Sequence, residues 1–478
     1  MPLSARTRIA CTIGPASAKP EILEEFLRQG MSVARLNLAH GDFASHEDYV
    51  RLIRDASCKT GIRVAILADL PGPKYRVGRL LQDPMELRCE DDVVLSIGKE
   101  AKATGHIPVD VPGLAKAVRP GDAIFLSDGF LELRVKEVQE EDIICTVVVG
   151  GTLRSHKGIN IPEIDLGAGA VTSYDHDCIA FAAQAGIDAI SVSYVERPDD
   201  ILEVRRIASS HGGYSPAVIA KIERRKAVQN LDALLEAADG IMVARGDLGV
   251  ETPIEEIAIV QKRIIHAANR AGKPVITATQ MLESMMENRR PTRAEVTDIS
   301  NAILDGTDCV MLSEETAMGR YPVEAISMMA RIATATERDR SERMAKEPFH
   351  PLADPKGGVS PKDIMASAVQ VVAQRLHPLA IVVPTRSGTI ARRLAKFRLP
   401  IGILAMCTEE KTCQRLQFTY GVTSQLIETF PPDWADFCRS WFKKRGITDG
   451  LVLLAQGPSS LRPQIPHRID VVDLSVSP

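Results

Sequence analysis

Eight short apolar runs, spaced by segments of helix length, constrain the fold of this chain more than any other feature. They fall at 8–14, 32–38, 64–70, 189–194, 217–223, 240–246, 274–280 and 309–313. Val, Ile and Ala dominate them, and polar residues do not alternate with apolar ones, as in strands buried on both faces. Amphipathic segments separate most of them. The first opens at Pro20, carries Ile22, Leu23, Phe26 and Leu27 on one face, and stops at Gly30. After the sixth run, Thr252 to Glu255 read as a capping box ahead of Ile257, Ile264, Ile265 and Ala268. Eight such α/β units predict a (β/α)8 TIM barrel.

The alternation breaks after the third run. Residues 74–166 carry shorter runs that alternate or end in Gly, Asp and Pro turns, so a small β-barrel lid domain is expected there, inserted in the barrel. A polar stretch from Thr336 to Ser360 reads as a linker. Beyond it, strands at 380–384, 401–407, 423–427, 451–456 and 470–474 alternate with helices, which predicts an open α/β sheet. The expected division is barrel 1–73, insert 74–166, barrel 167–345 and C-terminal domain 346–478.

Composition narrows the function classes. A net charge of −4 argues against a nucleic-acid binder, which needs a basic face. The nine cysteines include no CxxC pair, so no zinc site is indicated and a reducing compartment is expected. No run reaches the length of a membrane span, and the first residues hold no apolar leader, so the expected location is cytoplasmic, with no membrane partner.

The chemistry lies where apolar runs end in charge. Lys221 and Glu223 are two apart on one strand and share a face, and Asp247 follows the next strand. The carboxyl ends of barrel strands are where active sites form. Two carboxylates there suit Mg2+, which takes oxygen ligands and keeps positions open for phosphate or water; a strand-end ion pair is the plainer reading. Gly246 and Asp247 open a turn whose N–H groups can cradle an anion. Arg35 and Asn37 share a face on the second strand, and Arg suits phosphate. Asp69 ends the third strand, followed by Pro71-Gly72-Pro73 and the cations Lys74 and Arg76. Thr279 ends the seventh strand. Ser313 and Glu315 follow the eighth, where a hydroxyl beside a carboxylate reads either as a proton relay or as a helix cap. Thr385, Arg386, Ser387, Gly388 and Thr389 join a strand to a helix without P-loop spacing, and read either as a phosphate loop or as an ordinary cap.

Together these segments resemble the pyruvate kinase family over almost the whole chain. The resemblance is carried by Cys11-Thr12-Ile13-Gly14-Pro15-Ala16-Ser17, by residues 35–40, 219–223, 238–250 and 274–285, by Pro291-Thr292-Arg293-Ala294-Glu295, and by 305–317. It implies phosphoryl transfer from phosphoenolpyruvate to ADP, giving ATP and pyruvate, in a homotetramer. It implies that Glu223 and Asp247 hold Mg2+ or Mn2+, that Lys221 faces the phosphoryl group and that Arg35 holds the phosphate. Gly246, Asp247 and Thr279 match the substrate-carboxylate site. His40, Arg76, Lys157 and Asp128 match nucleotide-side positions, and Thr279, Ser313 and Glu315 match the region of proton delivery.

Two departures from the family pattern stand out. Where many members bind K+, Asn37 and Asp69 remain, but Ala39 stands at the Ser position and Lys74 at the Glu position. The expectation is that K+ is not required, with the Lys74 ammonium in its place. The loop 385–389 matches the family's effector loop, but the distal loop from Gly457 lacks the Trp of members that bind fructose 1,6-bisphosphate. A sugar-monophosphate or nucleotide effector is therefore expected. The rival readings are a metabolite sensor without catalysis and a metal-dependent barrel lyase that needs no nucleotide.

Overall fold

The computed structural model describes residues 5–111, 113–127, 129–162, 169–344, 361–457 and 466–476. All eight apolar runs form strands: β1 (Arg8–Thr12), β2 (Met31–Asn37), β3 (Ala65–Asp69), β4 (Ala189–Val192), β5 (Ala217–Ile222), β6 (Gly240–Ala244), β7 (Val275–Ala278) and β8 (Cys309–Leu312). They are parallel and close into a barrel in chain order, with β8 returning to β1. The pairing sets Asn37 beside Asp69 and Lys221 beside Met242.

Burial on both faces explains the unalternated runs. One face of each strand packs against the surrounding helices through residues such as Ile66, Val218 and Val243. The other fills the barrel interior with Ala10, Val33, Leu67, Ile219, Met242, Ile276 and Met311. One further member of that interior cluster, Phe418, comes from the C-terminal domain and is 1 % exposed.

The helices stop where their residues demand. Pro20–Gln29 begins on proline and ends at Gly30, whose φ of 111° lets its N–H reach the carbonyls of Phe26 and Leu27. Arg293–Asp305 starts with a capping box between Thr292 and Glu295. The box expected at Thr252 does not form. Thr252 instead terminates a short helix, Arg245–Glu251, and a 3-10 turn, Ile254–Glu256, intervenes before the helix Ile257–Ala271. The polar stretch after Thr336 also departs from expectation, because the helix Pro322–Met344 runs through its first part.

The inserted residues form a six-stranded sheet and a separate two-stranded ribbon around their own core, which includes Val77, Leu95, Ile107, Leu133 and Val147. Where a small β-barrel was expected, the six strands form a sheet whose two outermost strands do not pair with each other, unlike the closed main barrel. The chain leaves β3 through Pro71-Gly72-Pro73 and re-enters the barrel at the helix Ser173–Gln184.

In the C-terminal domain β9 (Ala380–Pro384), β10 (Ile403–Cys407), β11 (Val422–Leu426) and β12 (Leu451–Gln456) are parallel. The last strand, β13 (Arg468–Asp473), pairs antiparallel with β12 at the sheet edge. This domain covers the amino-terminal end of the barrel. Arg398 grips Asp308 with two hydrogen bonds, 2.8 and 2.9 Å, and donates to Asn269 Oδ1 at 2.7 Å.

Candidate active site

Polar side chains gather at the carboxyl ends of β2 to β8. On β5 the period of two sends Lys221 and Glu223 to the same side, and the Lys221 ammonium lies 2.8 Å from Glu223 Oε1 and 3.4 Å from Asp69 Oδ1. Lys221 also donates to Ser193 Oγ at 2.7 Å. Arg35, on β2, donates to Asp69 Oδ2 from Nε at 2.9 Å and from Nη2 at 2.5 Å, and to Thr12 Oγ1 from Nη1 at 3.0 Å. Ser191, on β4, donates to Asp69 Oδ1 at 2.6 Å. Asp69 is thus a hub that holds both cations.

The charges follow from these contacts. Burial opposes the Lys221 charge, but Asp69, Glu223 and Asp247 outweigh it and raise the ammonium's pKa above its ordinary value. Burial likewise opposes the Asp69 charge, and Lys221, Arg35 and Ser191 outweigh it, so this carboxyl lies below the usual range. Glu223 is displaced the other way. Burial and the nearby Asp247 carboxylate push its pKa up, with Lys221 opposing. Glu223 is 1 % exposed, and its Oε2 accepts the Tyr194 N–H at 2.6 Å. Its Oε1 accepts no well-aligned hydrogen bond despite lying beside the ammonium.

That under-used oxygen tests the fit of a divalent cation. Among the described residues no cluster of three or more His, Cys, Asp or Glu side chains can enclose a metal. A pair such as Glu223 and Asp247 fits Mg2+, which is held by one or two carboxylates while its other positions take water and substrate oxygens.

Thr279 ends β7 in strained backbone. Its φ is 68° and that of Gln280 is 53°, a left-handed pair in which the β-branched Thr is the more costly. Arg245 braces the segment, donating to the carbonyls of Ala278 and Thr279 at 3.1 and 2.5 Å while pairing with Asp298 at 2.6 Å. The result aims Thr279 Oγ1 at the Gly246 N–H, 3.0 Å away. Asp247 lies in the first turn of Arg245–Glu251.

Glu315 accepts the N–H groups of Leu282 and Ser313 at 3.0 and 2.6 Å, and burial raises its pKa. Ser313 precedes the helix Glu314–Ala317 and its side chain makes no cap hydrogen bond. The geometry makes Glu315 a brace between the ends of β7 and β8.

At the hinge of the insert, burial lowers the His40 pKa, with help from the charges of Arg76, Lys74 and Arg35. Arg76, Lys74 and Arg35 are thus near enough for their charges to be felt at the His40 ring. Arg76 pairs with Gly158 across the strands that leave for and return from the insert, and Val77 donates to the Lys157 carbonyl at 2.8 Å. Both side chains are exposed. Lys74 is exposed too, and among the described residues no ion pair of its side chain is recorded. Asn37 Oδ1 accepts the Ala39 N–H at 3.3 Å. Asp128 lies outside the described residues.

The loop 385–389 is far in sequence from this mouth and belongs to the C-terminal domain. Gly388, at φ 77°, donates to Thr385 Oγ1 at 2.9 Å, and the Ser387 and Thr389 hydroxyls lie 3.0 Å apart. Arg386 stacks on Phe430 at 5.4 Å. Most of the distal loop, residues 458–462, lies outside the described residues.

Four site residues carry no role in the sequence reading: Ser191, Ser193, Tyr194 and Arg245. Ser193 and Tyr194 were within reach, because they end the fourth apolar run as Lys221 and Glu223 end the fifth.

Comparison with known proteins finds one family over most of the chain. Residues 4–326 match the family model described as "Pyruvate kinase, barrel domain", and 362–457 match "Pyruvate kinase, alpha/beta domain". A pyruvate kinase of Thermococcus litoralis is 47% identical over 421 residues, covering 88% of each chain. One from Clostridium perfringens is 41% identical over 427 residues, covering 89% of this chain and 90% of its own. The crystal structure of a pyruvate kinase from Cryptosporidium parvum superposes with a TM-score of 0.90 at 32% identity, covering 98% of this chain and 96% of that one.

Proposed function

The chain belongs to the pyruvate kinase family, and from that premise we propose how its residues move a phosphoryl group from phosphoenolpyruvate to ADP, leaving pyruvate and ATP. The observation that carries the reading is the convergence of Lys221 on Glu223, 2.8 Å apart, with Asp247 close enough to shift both.

Arg35 binds the substrate phosphate, using the fork now turned on Asp69 and Thr12. The Lys221 ammonium faces the phosphoryl group between donor and acceptor, where charge spreads over its equatorial oxygens. The N–H groups of Gly246 and Asp247 and the Thr279 hydroxyl hold the carboxylate. Glu223 and Asp247 would hold Mg2+ or Mn2+, which when bound supplies Lewis-acid charge to the substrate oxygens. His40, Arg76 and Lys157 at the hinge, with Asp128 on the insert, receive the nucleotide. The enolate left behind takes its proton at carbon from the side of Thr279 and Ser313, with Glu315 holding that wall in place.

The direct test is formation of pyruvate and ATP from phosphoenolpyruvate and ADP with Mg2+. Pyruvate release without ADP would favour the lyase reading, and a chelator in excess should stop turnover.

K+ independence is part of the same proposal. Asn37 and Asp69 lie side by side, Ala39 offers no hydroxyl, and Lys74 stands at the mouth with a charge felt by His40. Turnover in a tetramethylammonium buffer should be close to that with K+; a many-fold rise on adding K+ refutes the substitution. We also propose control by a sugar monophosphate or nucleotide at 385–389, where Arg386, Ser387 and Thr389 offer a cation and two hydroxyls. Kinetics with a panel of phosphorylated sugars and nucleotides tests it, and no response to any removes it. A homotetrameric, cytoplasmic enzyme completes the proposal; sedimentation velocity tests the assembly. Among the described residues no helix is long and apolar enough to cross a membrane.

A further inference from the structure

One dipeptide at the end of β4 touches both members of the Lys221–Glu223 pair. Tyr194, at φ 55°, turns its N–H onto Glu223 Oε2 at 2.6 Å. Ser193 accepts from the Lys221 ammonium at 2.7 Å and donates its own proton to the Leu70 carbonyl, also at 2.7 Å. Ser193 is 2 % exposed, so neither bond is shared with bulk water.

Leu70 is not an ordinary partner. It is the last residue before Pro71-Gly72-Pro73, through which the chain leaves the barrel for the inserted sheet. Gly72 lies so close to the dipeptide that a Cβ there would sit 3.0 Å from Ser193 Cβ and 3.0 Å from the Tyr194 ring. Its N–H is pinned by Asp175 Oδ1 at 3.1 Å, from the helix that receives the returning chain. Asp175 in turn accepts the Thr172 N–H and hydroxyl at 2.7 and 2.6 Å. Outgoing and returning strands are therefore tied together at the point where Ser193 touches them.

We propose that Ser193 is a positioning residue that ties the Lys221 ammonium to the hinge from which the inserted domain hangs. This rests on the reading of Lys221 as the group facing the phosphoryl. Lys221 has four single bonds about which to rotate and two carboxylates, Asp69 and Glu223, that compete for it. The Ser193 hydroxyl gives it a neutral third anchor, fixed through Leu70 to the hinge. Rotation of the insert turns on Gly72, which packs against Ser193, so the posture of the insert bears on that anchor and on where the ammonium stands.

The test is steady-state kinetics per folded site, with melting temperatures, for Ser193→Ala and Ser193→Thr. A hydrogen bond to a charged group is worth about tenfold or more in rate when it is lost only from the reacting geometry. Ser193→Ala should lower kcat about tenfold with KM for phosphoenolpyruvate and ADP within about twofold, and Ser193→Thr, which keeps the hydroxyl, should recover most of the loss. Turnover of the Ala variant within about twofold of the parent overturns the inference, as does a fall that Ala and Thr share in step with their melting temperatures. The hinge link is read from Gly72→Ala: combined with Ser193→Ala it should cost little beyond the larger single effect, and full additivity overturns it. Lys221→Met is the control. If it keeps full turnover, the functional reading has failed, whereas loss there with an unaffected Ser193→Ala sinks this inference alone.

Discussion

The same eight strands end in two opposite kinds of surface. At the base, Asp308 accepts from Arg398 twice, from the Tyr420 N–H at 3.0 Å and from the Val275 N–H at 3.2 Å. Phe418 closes the interior above it. At the mouth, the carboxylates Asp69, Glu223 and Asp247 surround the cations Lys221 and Arg35, and one buried oxygen, Glu223 Oε1, accepts no well-aligned bond. At the base the Asp308 carboxylate uses all its lone pairs to hold two domains together. The mouth sets an under-used buried carboxylate oxygen among cations, an arrangement that suits a divalent ion together with an anionic substrate.

The comparison breaks first if the mouth proves structural. Lys221→Met should lower kcat per folded molecule about a thousandfold, in the range of losing a group aimed at transition-state charge, and should also lower the melting temperature, because Asp69 and Glu223 lose a buried partner. A variant that melts far lower and keeps its turnover per folded molecule would make Lys221 a second Asp308.

Phe418→Ala should do the reverse. Emptying a buried Phe costs about 3–5 kcal/mol, so chemical denaturation should show a large loss of stability, with kcat of the folded fraction within about twofold. A tenfold fall in kcat without destabilisation would mean that the base is coupled to the chemistry.

Acid sharpens the contrast through Asp69. Its folded pKa lies below the ordinary value of about 4, because Lys221 and Arg35 outweigh its burial. Its contribution to stability is therefore complete above about pH 4 and is lost as pH falls through the folded value. Asp69→Asn should be less stable than the parent at neutral pH by about 3–5 kcal/mol, the cost of breaking a buried pair, and the gap should narrow as pH drops below about 4. A gap independent of pH contradicts the charge assignment. The smallest expected change is at the rim: Lys74→Glu should lower turnover a few-fold in K+-free buffer and regain it when K+ is added, with stability unchanged.

Much of this was legible in the chain. Strands buried on both faces must be apolar throughout, so all eight announced themselves, and their charged ends marked Lys221, Glu223, Asp69 and Arg35. What stayed hidden depends on partners far away in sequence. Arg398 and Asp308 are 90 residues apart, and neither has a local pattern to betray it. Phe418 sits in a short turn, Leu416–Phe418, where no period shows which way an aromatic points. The helix past Thr336 read as a linker because it opens a polar, Pro- and Gly-containing stretch, yet Glu337 accepts from the N–H groups of Arg6 and Thr7, and Arg340 donates to the Tyr420 hydroxyl at 2.6 Å. Thr252 has a capping side chain, but Pro253 follows the end of one helix and leads into a 3-10 turn rather than the next helix. Ser193 was legible as the end of the fourth apolar run, but its partner, the Lys221 ammonium on the next strand, was not.

Mn2+ binding separates the two ends of the barrel most directly. Titrated by electron paramagnetic resonance, the parent and Asp308→Asn should bind the ion with the same affinity, and Glu223→Gln should bind it at least about tenfold more weakly. Equal affinity in the parent and Glu223→Gln would contradict the assignment of the mouth as the metal-bearing end.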